Sequence, residues 1–209
     1  MHYFEYGDKE MEHLKNADPN MKLLIEYSGF IKRETFPDVF EMMIRNIVAQ
    51  QISSKAAETV FLRLKDLAKI NAPNIIKLGK EKIQSCGMSV RKAGYIVNIA
   101  NKVQNNEVDF KKLCMLDDNE LTKELCKLDG VGIWSAEMLM IFALKRMDIL
   151  SYGDFAIRKG LMRLHSLSEI SKEQFNQYKK GYSPYGSVAS IYIWHIAAME
   201  NYEDIFKQK

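Results

Sequence analysis

The sequence predicts an all-α protein. Three observations carry that prediction. Apolar residues recur with a 3.6-residue rhythm in nearly every segment. No stretch alternates apolar and polar residues convincingly enough for a half-buried strand. Helix start and stop residues stand at the ends of the periodic segments. The chain has 209 residues, enough to bury a real core as one compact unit or two small ones. Apolar residues make up 47% and charged residues 27%, as in ordinary globular proteins. Four prolines and eleven glycines leave little room for linkers.

The elements follow in order. "FPDVFEMMIRNIVAQQ" places Val39, Phe40, Met43, Ile44, Ile47 and Val48 on one helical face, with Pro37 suited to the first turn. "SSKAAETVFLRLKDLAK" offers Ser53 or Ser54 as its cap and then Val60, Leu62, Leu64 and Leu67. "EKIQSCG" is a short helix stopped by Gly87. "SVRKAGYIVNIANKVQ" starts on Ser89. "DDNELTKELCKL" fits a capping box of Asp117 and Glu120, and "SKEQFNQYKKGY" one of Ser171 and Gln174. "SPYGSVASIYIWHIAAM" is a long apolar segment expected as a buried helix. The total is roughly ten helices with no repeat of fixed period.

Several function classes drop out. No apolar run approaches about 20 residues, so no membrane span is expected. The start, "MHYFEYGDKEMEHL", is acidic and aromatic and is not expected to be a signal peptide. Cys86, Cys114 and Cys126 are widely spaced with no CxxC pair, so free thiols in a reducing compartment are expected. A net charge of +3 is weak evidence for a polyanionic partner.

"LDGVGIW", residues 128–134, interrupts an otherwise helical run. One helix is expected to end at Leu128 and another to start near Ile133. Glycine permits backbone geometry there that other residues adopt only at a cost. The new helix begins with exposed N–H groups and the positive end of its dipole, which suits a phosphate. Taken alone, a Gly-x-Gly is simply a helix–helix turn. About twenty residues on, "SYGDFAIRKG" places Asp154 in a Gly-marked loop ahead of Arg158, Lys159 and Arg163. Taken alone, Asp154 is a helix N-cap.

Together, "LDGVGIWSAEMLMIFALKRMDILSYGDFAIRKGLMRLH" resembles the helix–hairpin–helix glycosylase superfamily. Within it the chain is most similar to the alkylbase branch, the 3-methyladenine DNA glycosylase II type. "IVAQQISSKAAETVFLRL" is similar to the loop and helix that enter the DNA minor groove in that family. "CGMSVRKAGYI" and "YSPYGSVASIYIWHIA" resemble two further family segments, the second being the closing helix. The resemblance covers about residues 35 to 200. It implies two helical subdomains with a cleft between them, formed by 36–152 with the hairpin at 120–145, and by 1–35 plus 153–209. The extra N-terminal β domain of longer family members is not expected.

The resemblance also implies roles. Gln50, Gln51, Ile52 and Ser53 would fill the gap left when a base is extruded from the duplex, a step that costs a few kcal/mol. Gly130, Val131, Gly132 and Ile133 would anchor a phosphate, which positions without specifying sequence, and Arg158 would add a DNA contact. Hairpin backbone carbonyls would hold a monovalent cation; no side-chain metal site is expected. Trp134 and Trp194 fall at pocket positions, with Tyr185 and Tyr192 as weaker candidates. Met138 stands where relatives often carry an aromatic. Stacking and cation–π contact would favour an electron-poor, alkylated purine by about 0.5 to 2 kcal/mol per ring. The two indoles are expected to approach one cleft that also contains Asp154.

Asp154 would stabilise the oxocarbenium-like sugar or position a water. The bifunctional relatives carry a lysine nucleophile where this chain has Trp134, so no Schiff base is expected. No cysteine follows Cys126, so no iron–sulfur cluster is expected, nor any other cofactor. Two departures stand out: Gly153 replaces a second acidic residue, and Gly186 stands where a basic residue is common. The expected protein is a monomeric, monofunctional alkylpurine DNA glycosylase acting on duplex DNA in the cytoplasm or a nucleus. The alternative is a non-catalytic DNA-binding module using the same hairpin. Retention of Asp154 argues against that alternative, since pure binding gains nothing from a carboxylate near phosphates.

Overall fold

A computed structural model describes residues 1–207. Two two-residue strands and the first helices come early: β1 (His2–Tyr3), α1 (Asp8–Ala17), α2 (Pro19–Ser28) and β2 (Glu34–Thr35). Then follow α3 (Val39–Ala49), α4 (Ser54–Leu67), α5 (Ala72–Gln84), α6 (Val90–Gln104) and α7 (Phe110–Leu113). The last helices are α8 (Asp118–Leu125), α9 (Ile133–Phe142), α10 (Phe155–Leu164), α11 (Lys172–Tyr182) and α12 (Gly186–Ala198). A 3-10 turn, Tyr202–Phe206, closes the described chain.

The chain divides into two compact units. One joins Met1–Thr35 to Lys145–Lys209; the other is Phe36–Leu144. The second boundary lies at Leu144 and Lys145, ahead of the 152–153 expected from sequence. Lys145 makes the turn there at φ 53°, a left-handed conformation that composition does not mark in a lysine.

In the unit Phe36–Leu144, α3 packs against α4, α6 and α9. Of its expected face, Phe40, Met43, Ile44, Ile47 and Val48 are buried, while Val39 in the first turn is half-buried. Pro37 is not in the first turn. Asp38 caps α3 by accepting from the Glu41 N–H at 2.9 Å, which leaves Pro37 one residue outside the helix. Ser53 caps α4 and Ser89 caps α6. The short helix expected at "EKIQSCG" is the second half of α5, which starts at an Asn71 cap and bends at Gly79, where φ is 73°. At the start of α8 the Asn119 and Glu120 N–H groups both donate to Asp117 Oδ1 at 2.9 Å. Helix α9 is apolar on almost every side and accordingly buried from Ser135 to Phe142, apart from Glu137.

In the other unit, α10 lies against α12, and α2 and α11 pack on α12 as well. Gly160 allows this closeness: a Cβ there would stand 2.2 Å from the Ile193 carbonyl oxygen. Arg163 donates to the carbonyls of Ile196, Ala197 and Met199 at 2.9, 3.0 and 2.7 Å. It therefore closes the C-terminal end of α12, where a cation also suits the helix dipole. The full capping box of Ser171 and Gln174 starts α11. Asp18 caps α2 through the Asn20 and Met21 N–H groups. It also accepts from the Tyr182 hydroxyl and stands 3.2 Å from His165 Nε2. β1 and β2 pair antiparallel, His2 with Thr35 and Tyr3 with Glu34.

Candidate active site and DNA-contact elements

The hairpin between α8 and α9 is built on two glycines with different duties. Gly130 has φ 78°, and a Cβ there would fall 2.2 Å from Tyr95 Cδ2. Both the turn and the close approach of the Tyr95 ring exclude any other residue. The Val131 N–H closes the turn on the Leu128 carbonyl at 3.1 Å. Gly132 is extended (φ −103°, ψ 178°) and forms the N-cap of α9. A Cβ on Gly132 would meet nothing within 4 Å. Gly132 is therefore not demanded by the protein's own packing. Its exposed backbone, followed by Ile133 at 63% exposure, is the part of the turn open to a ligand.

The loop Gln50–Ser53 is tied to this hairpin. Gln50 Nε2 donates to the Gly130 carbonyl at 2.7 Å and to Ser135 Oγ at 3.0 Å. Asn46, buried in α3, donates to the Ser135 carbonyl at 3.1 Å. Lys92 donates to the carbonyls of Val48, at 2.9 Å, and of Gln50. It thereby satisfies the C-terminal end of α3, and burial lowers its pKa. Gln51 adopts φ 59°, rare for a residue with a side chain. Gln51, Ile52 and Ser53 are exposed, and Ser53 is also the α4 cap. Gln50 is thus a tie within the protein, while Gln51 and Ile52 form the projecting tip. Trp134, in the first turn of α9, is half-buried. Met138, one turn on, is a core residue at 4% exposure.

Asp154 and Trp194 lie in the other unit and touch. Asp154 is the N-cap of α10, accepting from the Ile157 N–H at 3.0 Å. The same oxygen accepts from Trp194 Nε1 at 3.3 Å. Asp154 as a residue is 9% exposed. The Arg33 guanidinium lies over the Trp194 ring, 5.2 Å from its centroid. Burial lowers the Arg33 pKa, and the attraction of Asp154 opposes that shift. Arg158 donates to the Tyr152 carbonyl and lies over the Tyr152 ring at 5.4 Å.

Two of the weaker pocket candidates are placed differently from each other. Tyr185 is partly exposed and meets His13 edge-on at 5.1 Å. Tyr192 is a core residue with no exposed surface to offer a base. Its hydroxyl donates to the Gly29 carbonyl at 3.0 Å, and burial raises its pKa strongly. Gly186, where a basic residue is common in relatives, is held by Asp148: its N–H donates to Asp148 Oδ1 at 3.1 Å, and a Cβ would fall 2.9 Å from that oxygen.

Arg33 and Lys92 are absent from the residues that sequence singles out for a role. Lys92 lies in a quoted motif but looks like any surface lysine of a helix. Arg33 is remote in sequence from Asp154 and carries no motif. Among the described residues, no group of three or more His, Cys, Asp or Glu could hold a metal ion. Nor is any helix among them long and apolar enough to cross a membrane.

The chain is similar to several proteins named as 3-methyladenine DNA glycosylases or glycosidases. DNA-3-methyladenine glycosylase 1 of Schizosaccharomyces pombe is 29% identical over 199 residues, covering 91% of this chain and 87% of its own. DNA-3-methyladenine glycosylase of Saccharomyces cerevisiae is 27% identical, covering 90% of this chain and 78% of its own. Among solved structures, the S. pombe 3-methyladenine DNA glycosylase in complex with abasic DNA superposes with a TM-score of 0.85 at 28% identity. That match covers 92% of this chain and 98% of the other. A DNA-3-methyladenine glycosidase from Bacillus halodurans gives 0.84 at 29% identity, covering 100% and 99%. Residues 44–184, more than half of the chain, match the family described as HhH-GPD superfamily base excision DNA repair protein, and the chain belongs to that superfamily.

Proposed function

We propose that this protein is a monofunctional DNA glycosylase that extrudes alkylated purines of the 3-methyladenine type from duplex DNA and hydrolyses their N-glycosidic bond. The observation that carries the reading is the fixed Asp154 carboxylate, held by the α10 N-terminus and the Trp194 indole N–H. The relatives named as 3-methyladenine glycosylases support the choice of substrate class.

The parts act in sequence. The Gly132–Ile133 backbone and the α9 N-terminus take a phosphate. Backbone carbonyls of the hairpin would hold a monovalent cation that adds positive charge there; those of Leu128 and Gly130 each keep a second lone pair beside their present partner. Gln51 and Ile52 project into the duplex where the extruded nucleotide was, while Gln50 and Lys92 keep the loop in place. Trp194 stacks on the extruded base and Tyr185 lines its approach, while Trp134 offers the substrate a further aromatic surface. Alkylation has already weakened the glycosidic bond, so Asp154 needs only to stabilise the positive charge that develops on the sugar. Trp134 occupies the lysine position of the lyases, and hydrolysis follows without a covalent adduct. Arg158 adds a cation to the DNA-facing charge, and binding is to DNA without a cofactor.

The test is base release from methylated duplex DNA, with the free bases identified by chromatography. Asp154→Asn keeps a side-chain oxygen for the cap and removes the charge. It should bind abasic-site DNA at least as well as wild type and lose about a hundredfold or more in single-turnover excision. Unchanged excision by Asp154→Asn would remove Asp154 from the chemistry. Tight binding of distorted duplex with no base release by wild type would favour the non-catalytic alternative.

A further inference from the structure

The structure sets the Arg33 cation against both Trp194, whose ring it overlies, and Asp154, whose charge attracts it. Its position is fixed through the backbone. Its carbonyl accepts from the Phe4 N–H at 2.8 Å, and the next residues, Glu34 and Thr35, pair with β1. From there the side chain reaches the face of Trp194, at 5.2 Å from the ring centroid. Trp194 in turn donates to Asp154 Oδ1 at 3.3 Å. A base that reaches Trp194 therefore meets a guanidinium at the ring face and a carboxylate at the indole N–H edge.

That cation matters differently for two kinds of damaged purine. In hydrolysis the bond from C1′ to the purine nitrogen breaks and its electron pair leaves with the base. Water supplies the oxygen that bonds to C1′; the proton lost from that water ends on a purine that was neutral in DNA, and passes to solvent when the purine was cationic. A purine alkylated on a ring nitrogen is cationic in DNA and leaves neutral, so it needs no help. A neutral damaged purine leaves carrying negative charge until the proton reaches it. Resting on the glycosylase reading above, we propose that Arg33 sets substrate specificity. Its guanidinium donates hydrogen bonds to the departing purine and extends the substrate class to neutral lesions such as hypoxanthine and ethenoadenine. A guanidinium holds five N–H donors and does not give up its proton, so it acts by charge-assisted hydrogen bonding and not as a general acid. The burial that lowers the Arg33 pKa also strengthens its field on a neighbouring base. Toward a cationic base the same charge is repulsive, and part of the Trp194 face is already covered by a cation.

The experiment measures single-turnover excision of hypoxanthine and of 3-methyladenine from otherwise identical duplexes, with wild type, Arg33→Gln and Arg33→Lys. The ratio of the two rates in one preparation does not depend on how much of that protein is folded. Wild type should release both bases. Arg33→Gln should lose about a hundredfold more on hypoxanthine than on 3-methyladenine, read as the change in the ratio of the two rates. Arg33→Lys, which keeps the charge without the planar fork, should fall between them on hypoxanthine. A ratio unchanged in Arg33→Gln, or a larger loss on the cationic base, overturns the proposal and leaves the glycosylase reading intact. Wild type that releases 3-methyladenine but no neutral purine overturns it likewise. Wild type that releases neither overturns both readings.

Discussion

Gly130 and Gly132 look alike in "LDGVGIW", yet the structure ties the first to packing and places no such demand on the second, and two alanine variants test whether the second serves binding. Gly130→Ala places a methyl in a left-handed backbone, at about 1 to 2 kcal/mol. It also drives that methyl to 2.2 Å from Tyr95 Cδ2, and overpacking of this kind costs about 1 to 3 kcal/mol. The two effects together come to about 2 to 5 kcal/mol. At about 2 to 4 °C per kcal/mol for a chain of this size, the melting temperature should drop by about 4 to 20 °C. Adding Tyr95→Ala should relieve the steric part and leave the backbone part, so the double variant recovers stability relative to the sum of its singles. Gly132→Ala meets nothing within 4 Å and sits at φ −103°. Its folding cost is the loss of a tolerant N-cap, under about 1 kcal/mol. Its duplex affinity should nevertheless fall severalfold or more, because the methyl occupies the space through which a phosphate reaches the α9 N–H groups. The assays are thermal unfolding and fluorescence anisotropy on abasic-site duplex at fixed salt. Gly132→Ala that melts and binds like wild type would refute the anchor. Gly130→Ala that melts like wild type would refute the packing argument.

Further outcomes follow from the same geometry. Borohydride added during turnover should trap no protein–DNA adduct, since Trp134 offers no amine; a covalent band on a denaturing gel would contradict hydrolysis. Trp194→Phe keeps a stacking surface but removes the donor to Asp154, so single-turnover excision should fall by about tenfold with DNA affinity nearly unchanged. Equal rates in that variant would mean the 3.3 Å contact is idle. Acid stability should depend on Asp18. Burial alone would raise its pKa, but hydrogen bonding from Tyr182 and the neighbouring His165 hold it below the usual value. With the folded pKa depressed, the contribution is full above the unfolded value near about pH 4 and is lost as pH falls through the folded value. Melting temperatures of wild type and Asp18→Asn should therefore converge in strong acid, and parallel curves would exclude Asp18 as the cause.

Much of the fold was legible because its signals are local. Ser53, Ser89, Ser171 and the apolar face of α3 announce themselves within one or two helical turns. The early helices carry a comparable signal, Asp18 followed by Pro19, that the overall acidity of the N-terminus masks. The two-residue strands are too short for any alternation to register. What sequence hides is the residue whose duty depends on a distant partner. Gly160 reads as a flaw in a helix until Ile193 is placed against it. Arg163 reads as one more cation of a short basic segment until the three α12 carbonyls are seen around it. Tyr192 reads as a pocket aromatic until its hydroxyl is found on Gly29.

Asp154 is the instructive case, because its modest reading and its ambitious one turn out to be compatible. As an N-cap it must point one oxygen at the Ile157 N–H. That hydrogen bond restricts the carboxylate to one orientation and places it at the positive end of α10, where an anion is favoured. The Trp194 N–H then binds the same Oδ1. A group meant to stabilise charge developing on a sugar gains most when it is oriented before the substrate arrives, since no reorganisation is left to oppose the reaction. The cap therefore supplies the preorganisation that the proposed chemistry requires. Gly160 is part of the same device: by letting α10 approach α12 it brings Trp194 within reach of Asp154. Gly160→Ala should accordingly separate the two helices and lower excision through Asp154, although it touches neither DNA nor base.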